Sequence, residues 1–172
     1  MKKIKNIACI GAGYVGGPSM SVFAENCPNI NFTIVDKDVE KINAWNGNVD
    51  NLPIYEPGLK EIIRKTRNKN LFFSNDIDNA IINSDIIFLA VNTPTLKDGP
   101  GAGFGADLRY IISCAEHIAR IANSDKIIVE KSTVPIKTAE KLNEIFSQTN
   151  SSVNFEILSN PEFLAEALLL KI

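Results

Sequence analysis

The feature that most constrains this chain is the run Ile4-Lys-Asn-Ile-Ala-Cys-Ile-Gly11-Ala-Gly13-Tyr-Val-Gly16, read together with Asp36. An apolar segment ends in Gly-x-Gly-x-x-Gly. A second one, Phe32-Thr-Ile-Val-Asp36, ends in an acid twenty residues after Gly16. This pattern predicts strand, tight turn, helix and a second parallel strand. The first glycine makes the turn, the second lets backbone approach a pyrophosphate, and the third lets helix pack close on strand. The helix start offers unpaired N–H groups and a positive dipole end to phosphates. Asp36 would accept from both ribose hydroxyls and repel a 2′-phosphate, which favours NAD over NADP. The alternative is a glycine turn of structural meaning only, with Asp36 a solvated strand end. Pro18 cannot donate a helical hydrogen bond, so it belongs in the first turn of a helix starting at or just after residue 14.

Strand and helix patterns alternate beyond this point. Strands are expected at 4–10, 31–36, 71–74, 85–91, 126–131 and 153–158, and helices at 14–26, 38–46, 57–67, 76–83, 107–123, 135–149 and 161–171. Ile86-Ile-Phe-Leu-Ala-Val91 and Ile127-Ile-Val129 are apolar on both faces, as strands of a covered parallel sheet are. Alternation with short connectors implies right-handed crossovers and an α/β fold: a Rossmann-type, doubly wound, mostly parallel six-stranded sheet with helices on both faces.

Charge and composition exclude other classes. With 172 residues and a net charge of −2, the chain can build one core and carries no broad basic field for nucleic acid. Its apolar runs are far too short to span a membrane, and Met1-Lys-Lys leads straight into a strand without a secretory signal. Cys9, Cys27 and Cys114 are scattered and odd in number, with neither disulfide framework nor zinc spacing, so no metal site and a cytoplasmic location are expected.

Ligands of such sheets lie beyond the carboxyl ends of the strands. Besides the glycine turn, four segments converge there: Lys37 to Lys41, Val91-Asn92-Thr93-Pro94-Thr95, Glu130-Lys-Ser132-Thr133-Val-Pro135 and Ser159-Asn160-Pro161-Glu162. The connectors 47–57 and 92–106 are longer than the fold requires. The second holds four glycines and two prolines, and is either a functional loop or a bland surface one. Asn160 is a good N-cap, Pro161 fits the first helical position, and Glu162 complements the helix dipole. On the residues alone, Glu162 and Thr133 remain open to a chemical or a structural role. His117 is expected to be a solvated surface residue.

Five ordered motifs carry a resemblance: Gly11-Ala12-Gly13-Tyr14-Val15-Gly16-Gly-Pro18, Leu52-Pro-Ile-Tyr-Glu-Pro-Gly58, Val91 to Thr95, Glu130 to Pro135, and Ser159-Asn-Pro-Glu162-Phe163-Leu164-Ala165-Glu166. Together they resemble the UDP-glucose 6-dehydrogenases of the UDP-glucose/GDP-mannose dehydrogenase family. Ile42-Asn-Ala-Trp45-Asn and Asn70 to Ser74 resemble the animal-type members. The resemblance implies that residues 1–172 form one NAD-binding domain of a longer architecture with central helical and C-terminal UDP-binding domains. It implies oxidation of UDP-glucose to UDP-glucuronate with two NAD⁺ reduced, through a thioester on a cysteine of a later segment, in an enzyme that is homo-oligomeric when complete.

By the same resemblance, Gly11 to Gly16, Asp36, Lys41, Val91 to Thr95, Ser132 and Glu166 would touch NAD. Glu162, Phe163, Leu164, Ala165 and Glu166 would line the sugar-nucleotide site, with Glu162 as acid/base and Thr133 helping to hold the water. Position 41 carries Lys where animal-type members usually have Arg, and the match breaks at Ala167. The nucleophilic cysteine would lie beyond residue 172, so the chain is expected to bind NAD weakly and to complete no turnover. Cys9, Cys27 and Cys114 read as structural thiols. Another nucleotide-sugar dehydrogenase, acting on GDP-mannose or an N-acetylated UDP-sugar, and a non-catalytic NAD-binding module are the competing readings. Phe163, Leu164, Leu168, Leu169, Leu170 and Ile172 predict a final helix apolar almost all round, hence self-association or poor folding of the isolated chain.

Overall fold

The structure is a computed structural model that describes residues 3–98, 103, 105–135, 137–148 and 153–161. The expected final helix, with Glu162 to Glu166 and its apolar face, lies outside the described residues. Six strands, β1 (Asn6–Ile10), β2 (Asn31–Val35), β3 (Leu71–Ser74), β4 (Ile86–Leu89), β5 (Lys126–Glu130) and β6 (Phe155–Ser159), form one sheet in the order β3-β2-β1-β4-β5-β6. Every pairing is parallel. Helices α1 (Gly16–Asn26), α2 (Val39–Asn46), α3 (Leu59–Thr66), α4 (Ile77–Asn83), α5 (Arg109–Ile121) and α6 (Thr138–Ser147) connect them. Strand order reverses between β1 and β4, which opens a crevice at the carboxyl edge there.

Two cores sandwich the sheet. Ile7 and Cys9 of β1 face one, with Met20, Trp45, Leu59 and Ile63 from α1, α2 and α3. Ala8 and Ile10 face the other, with Ile81, Ile111, Ile118, Leu142 and Phe146 from α4, α5 and α6. The alternation along β1 is the period-two signature of a strand covered on both sides. No helix among the described residues is long and apolar enough to cross a membrane.

The expected elements differ from the observed ones mainly at their ends. β4 stops at Leu89 instead of 91: Ala90 N–H still donates to Ile10 O at 2.9 Å, and the chain leaves the ladder from Val91 onward. α1 starts at Gly16, with Pro18 third in the helix, where a missing N–H costs nothing. The 47–57 connector holds a short 3-10 turn, Val49–Asn51, capped by Asn48, whose side chain accepts from Asp50 N–H at 3.0 Å. In the 92–106 loop the described base is laced: Leu96 N–H donates to Gly105 O (2.7 Å) and Gly103 N–H to Leu96 O (2.9 Å).

Asn70, just before β3, holds the α1–β2 turn. Its buried Nδ2 donates to the carbonyls of Ala24 (2.8 Å), Cys27 (3.3 Å) and Ile30 (3.1 Å). The buried one of the three, Ala24 O, lies at the α1 end where no further helical turn can satisfy it, whereas Cys27 O also accepts from Ile30 N–H at 3.1 Å. Asn70→Ala should therefore cost about 2 kcal/mol of stability, the penalty for stranding a buried acceptor. Urea unfolding monitored by circular dichroism checks this, and a change under 0.5 kcal/mol would contradict it.

Candidate functional site

The glycine turn leaves β1 and packs against its surroundings too tightly for side chains. Gly11 has φ +113°, and a Cβ there would stand 2.2 Å from the Ala90 carbonyl oxygen. A Cβ on Gly16 would fall 2.0 Å from Gly11 O, so the start of α1 can approach the turn only as glycine. Gly13 is the opposite case. A Cβ there meets nothing within 4 Å, because the position faces open space.

Asp36 closes β2 beside this turn. Its Oδ2 accepts from Ala12 N–H (3.0 Å) and from Lys41 Nζ (2.9 Å), and its Oδ1 accepts from Asp38 N–H (3.0 Å). Burial pulls the carboxyl upward, but the bonds from Asp38, Lys41 and Ala12 and the Lys41 charge outweigh it. Asp36 is therefore held below the usual carboxylate value and stays ionised. Lys41, assigned to the cofactor by resemblance, rests on the acid in this structure as its counter-charge.

A cleft runs across the carboxyl edge of the sheet in two lobes. The larger, about 1000 Å³, lies over Gly11, Gly13, Asp36 and Lys41, bounded by Val91, Asn92, Thr93 and Pro94 and by Tyr110, Cys114 and His117 of α5. The smaller, about 500 Å³, lies between Ala12 to Val15, Pro53 and Ile54 on one side and Val91 to Thr93, Ser132 and Thr133 on the other. Gly13, Lys41 and Val91 to Thr93 line both lobes, so the glycine turn sits where they join. Two of the expected cofactor residues line neither lobe. Gly16 is packed behind the turn, and Thr95 pairs with Ala106 at the base of the long loop. Glu162 to Glu166 lie outside the described residues.

The far wall is tied together by hydroxyls. Ser132 Oγ donates to Val91 O (2.7 Å) and Thr93 Oγ1 to Thr133 O (2.7 Å), which locks the exits of β4 and β5 to each other. Asn160, expected as an N-cap, accepts from Lys131 Nζ at 3.1 Å, while its N–H reaches Glu130 O at 2.9 Å.

Glu130, at the end of β5, is buried and accepts from Ser159 Oγ at 2.9 Å. Burial raises its carboxyl above the usual value, and the Ser159 bond offsets this only in part. A carboxyl raised in the folded state binds its proton more tightly than in the unfolded chain. Its contribution to stability is full below the ordinary carboxyl value and falls as pH rises through the folded one. Glu130→Gln should consequently melt higher than the parent at pH 8 and level with it at pH 4. Equal melting temperatures at pH 8 would contradict this.

Three further groups line the larger lobe. Lys37 Nζ lies 5.2 Å from the Tyr110 ring centroid. His117 is not the solvated residue expected. It is half-buried, with Nε2 2.6 Å from Asp78 Oδ1 and Nδ1 accepting from Arg120 Nη2 at 2.8 Å, so both ring nitrogens are engaged across α4 and α5. Cys114 lines the lobe as a thiol pushed up to about 11 by burial. Buried Cys9 is pushed up to about 12, and Cys27 is exposed at the end of α1. The first two are protonated and weakly nucleophilic at neutral pH.

A parallel sheet of this order, a glycine turn at the switch point, and an acid ending β2 define a dinucleotide-binding protein of the Rossmann class. Residues 5–171 match the UDP-glucose/GDP-mannose dehydrogenase family, NAD binding domain. Among curated proteins, the UDP-glucose 6-dehydrogenase of Rattus norvegicus is 54% identical over 172 residues, covering 99% of this chain and 34% of the rat protein. UDP-glucose 6-dehydrogenase 2 of Arabidopsis thaliana is 54% identical over 165 residues, covering 96% and 34%. Among solved structures, a ternary complex of GDP-mannose dehydrogenase from Pseudomonas aeruginosa superposes with TM-score 0.81 at 29% identity, over 96% of this chain and 38% of that one. The chain belongs to the UDP-glucose/GDP-mannose dehydrogenase family, of which it carries the NAD binding domain, and its cofactor is NAD. It spans about a third of the length of the curated relatives it matches.

Proposed function

We propose that this chain forms the NAD site and part of the sugar-nucleotide site of a cytoplasmic, homo-oligomeric UDP-glucose 6-dehydrogenase. The observation that carries the cofactor half is the open face of Gly13 at the junction of the two lobes, with the Asp36 carboxylate in the larger one. The N–H groups of Gly13 to Val15 bind the diphosphate, and Asp36 accepts from the adenosine ribose hydroxyls as Lys41 yields. Tyr110 and His117 bound the adenosine side. Val91 to Pro94 and Ser132 floor the smaller lobe for the nicotinamide, with Thr95 and Gly16 supporting from behind. When bound, NAD accepts a hydride from the sugar C6.

UDP-glucose is assigned from the relatives' names and from the motif Glu162 to Glu166, with Glu162 as acid/base. Thr133, at the rim of the smaller lobe, holds the water. The nucleophile is not assigned to Cys9 or Cys114, whose thiols are raised by burial, nor to Cys27 at the remote end of α1. The reading is tested by incubating the chain with NAD and UDP-glucose. NAD should raise its melting temperature more than NADP, and no NADH should accumulate. Sustained NADH production would overturn the placement of the nucleophile, and preferential stabilisation by NADP would overturn the role of Asp36.

A further inference from the structure

The indole of Trp45 lies beneath the glycine turn. It is fully buried near the end of α2, stacks on Phe73 of β3 with ring centroids 4.7 Å apart and planes 8° from parallel, and presses on α1 at Gly17. A Cβ on Gly17 would stand 2.3 Å from its ring. The Trp45 carbonyl accepts from Arg67 Nη1 at 2.7 Å. The ring is thus held between Phe73 and α1, the Arg67 bond anchors its backbone, and its Nε1–H donates to the Ala12 carbonyl at 3.0 Å. Ala12 N–H is also held, by Asp36 Oδ2 at 3.0 Å.

The Ala12–Gly13 peptide is trans, so its carbonyl and its N–H point in opposite directions. With the carbonyl drawn inward onto Trp45, the Gly13 N–H is aimed outward into the cleft. It has no hydrogen-bond partner there among the described residues. Gly13 itself does not enforce this orientation, because a glycine lets the adjoining peptide rotate at little cost. Rotated the other way, the peptide would present a carbonyl oxygen to an anionic ligand.

We infer that Trp45 is a positioning residue for the cofactor diphosphate: its indole N–H locks the Ala12–Gly13 peptide with the Gly13 N–H facing the phosphates. The inference rests on the NAD reading above and adds the residue that preorganises the donor. A structural tryptophan would support the whole fold, whereas this role is confined to ligands that carry the diphosphate.

The test replaces Trp45 with 3-benzothienylalanine, which keeps the ring shape and lacks the N–H, alongside Trp45→Phe. NAD, ADP and adenosine are titrated calorimetrically, and the Gly13 amide is followed by ¹⁵N NMR. NAD and ADP should bind the isostere variant about tenfold more weakly, the scale of one net hydrogen bond. Adenosine should be held within about twofold, and the Gly13 amide shift on NAD addition should be lost. Equal weakening of adenosine, or unchanged NAD binding with the parent amide shift, overturns the inference alone. If the isostere does not fold, the same comparison is read from Trp45→Phe. Failure of the parent chain to bind NAD overturns the cofactor reading and this inference with it.

Discussion

Alanine at position 13 should leave the fold intact and remove most NAD binding. The Gly13 Cβ direction is empty in the structure and points to the junction of the two lobes, so Gly13→Ala costs the folded chain little. The added methyl occupies the approach of the diphosphate to the backbone, and an affinity loss of about 100-fold is expected from a displacement of roughly 1 Å at such a contact. Gly16→Ala should behave differently. Its Cβ would overlap the Gly11 carbonyl, 2.0 Å away, so α1 must shift. Stability should fall by about 3 kcal/mol, at the upper end of ordinary overpacking, together with affinity. Thermal melts paired with NAD titrations separate the two. Equal destabilisation by both substitutions would contradict the distinction between the cleft-facing and the packing glycine.

Asp36→Asn carries the second large effect. Three donors converge on this carboxylate, and the ribose diol is expected to take the place of Lys41 there. Loss of the charge should weaken NAD by about 30-fold, as charge-assisted hydrogen bonds are stronger than neutral ones. It also frees Lys41, and with Lys37 in the same lobe the site should lose its preference against NADP. A stability signature follows with a definite sign. The folded Asp36 lies below its ordinary value, so its contribution is present above that value and is lost as pH falls through the folded one. Melting curves of the parent should therefore drop more steeply than those of Asp36→Asn on the acid side. Parallel acid limbs, or undiminished NAD affinity, would contradict this.

The path from β1 through the glycine turn to Asp36 was legible because local chemistry dictates it: apolar runs of strand length, glycines where a Cβ cannot fit, and an acid at a strand end. Parallel pairing with helices on both faces followed from the alternation of strands and helices, whereas the strand order comes from the structure. The supports of the site left no such trace. Trp45 and Ala12 are 33 residues apart, and nothing in an eight-residue helix states that its one indole reaches back under a turn. Asn70 reads as an ordinary polar residue before a strand, although its amide binds three carbonyls 40 to 46 residues earlier. His117 reads as solvated because its partner Asp78 is contributed by another helix, 39 residues away. Periodicity and capping rules describe neighbours within a turn or two, whereas these contacts exist only once the sheet has brought distant segments together.

Calorimetric titration of NAD into the folded chain, beside Gly13→Ala, tests the central claim most directly. The parent should show saturable one-site binding, and Gly13→Ala, with an unchanged melt, should show almost none. No heat of binding from a parent chain that melts cooperatively, or a Gly13→Ala variant that binds NAD as tightly as the parent, would contradict the account.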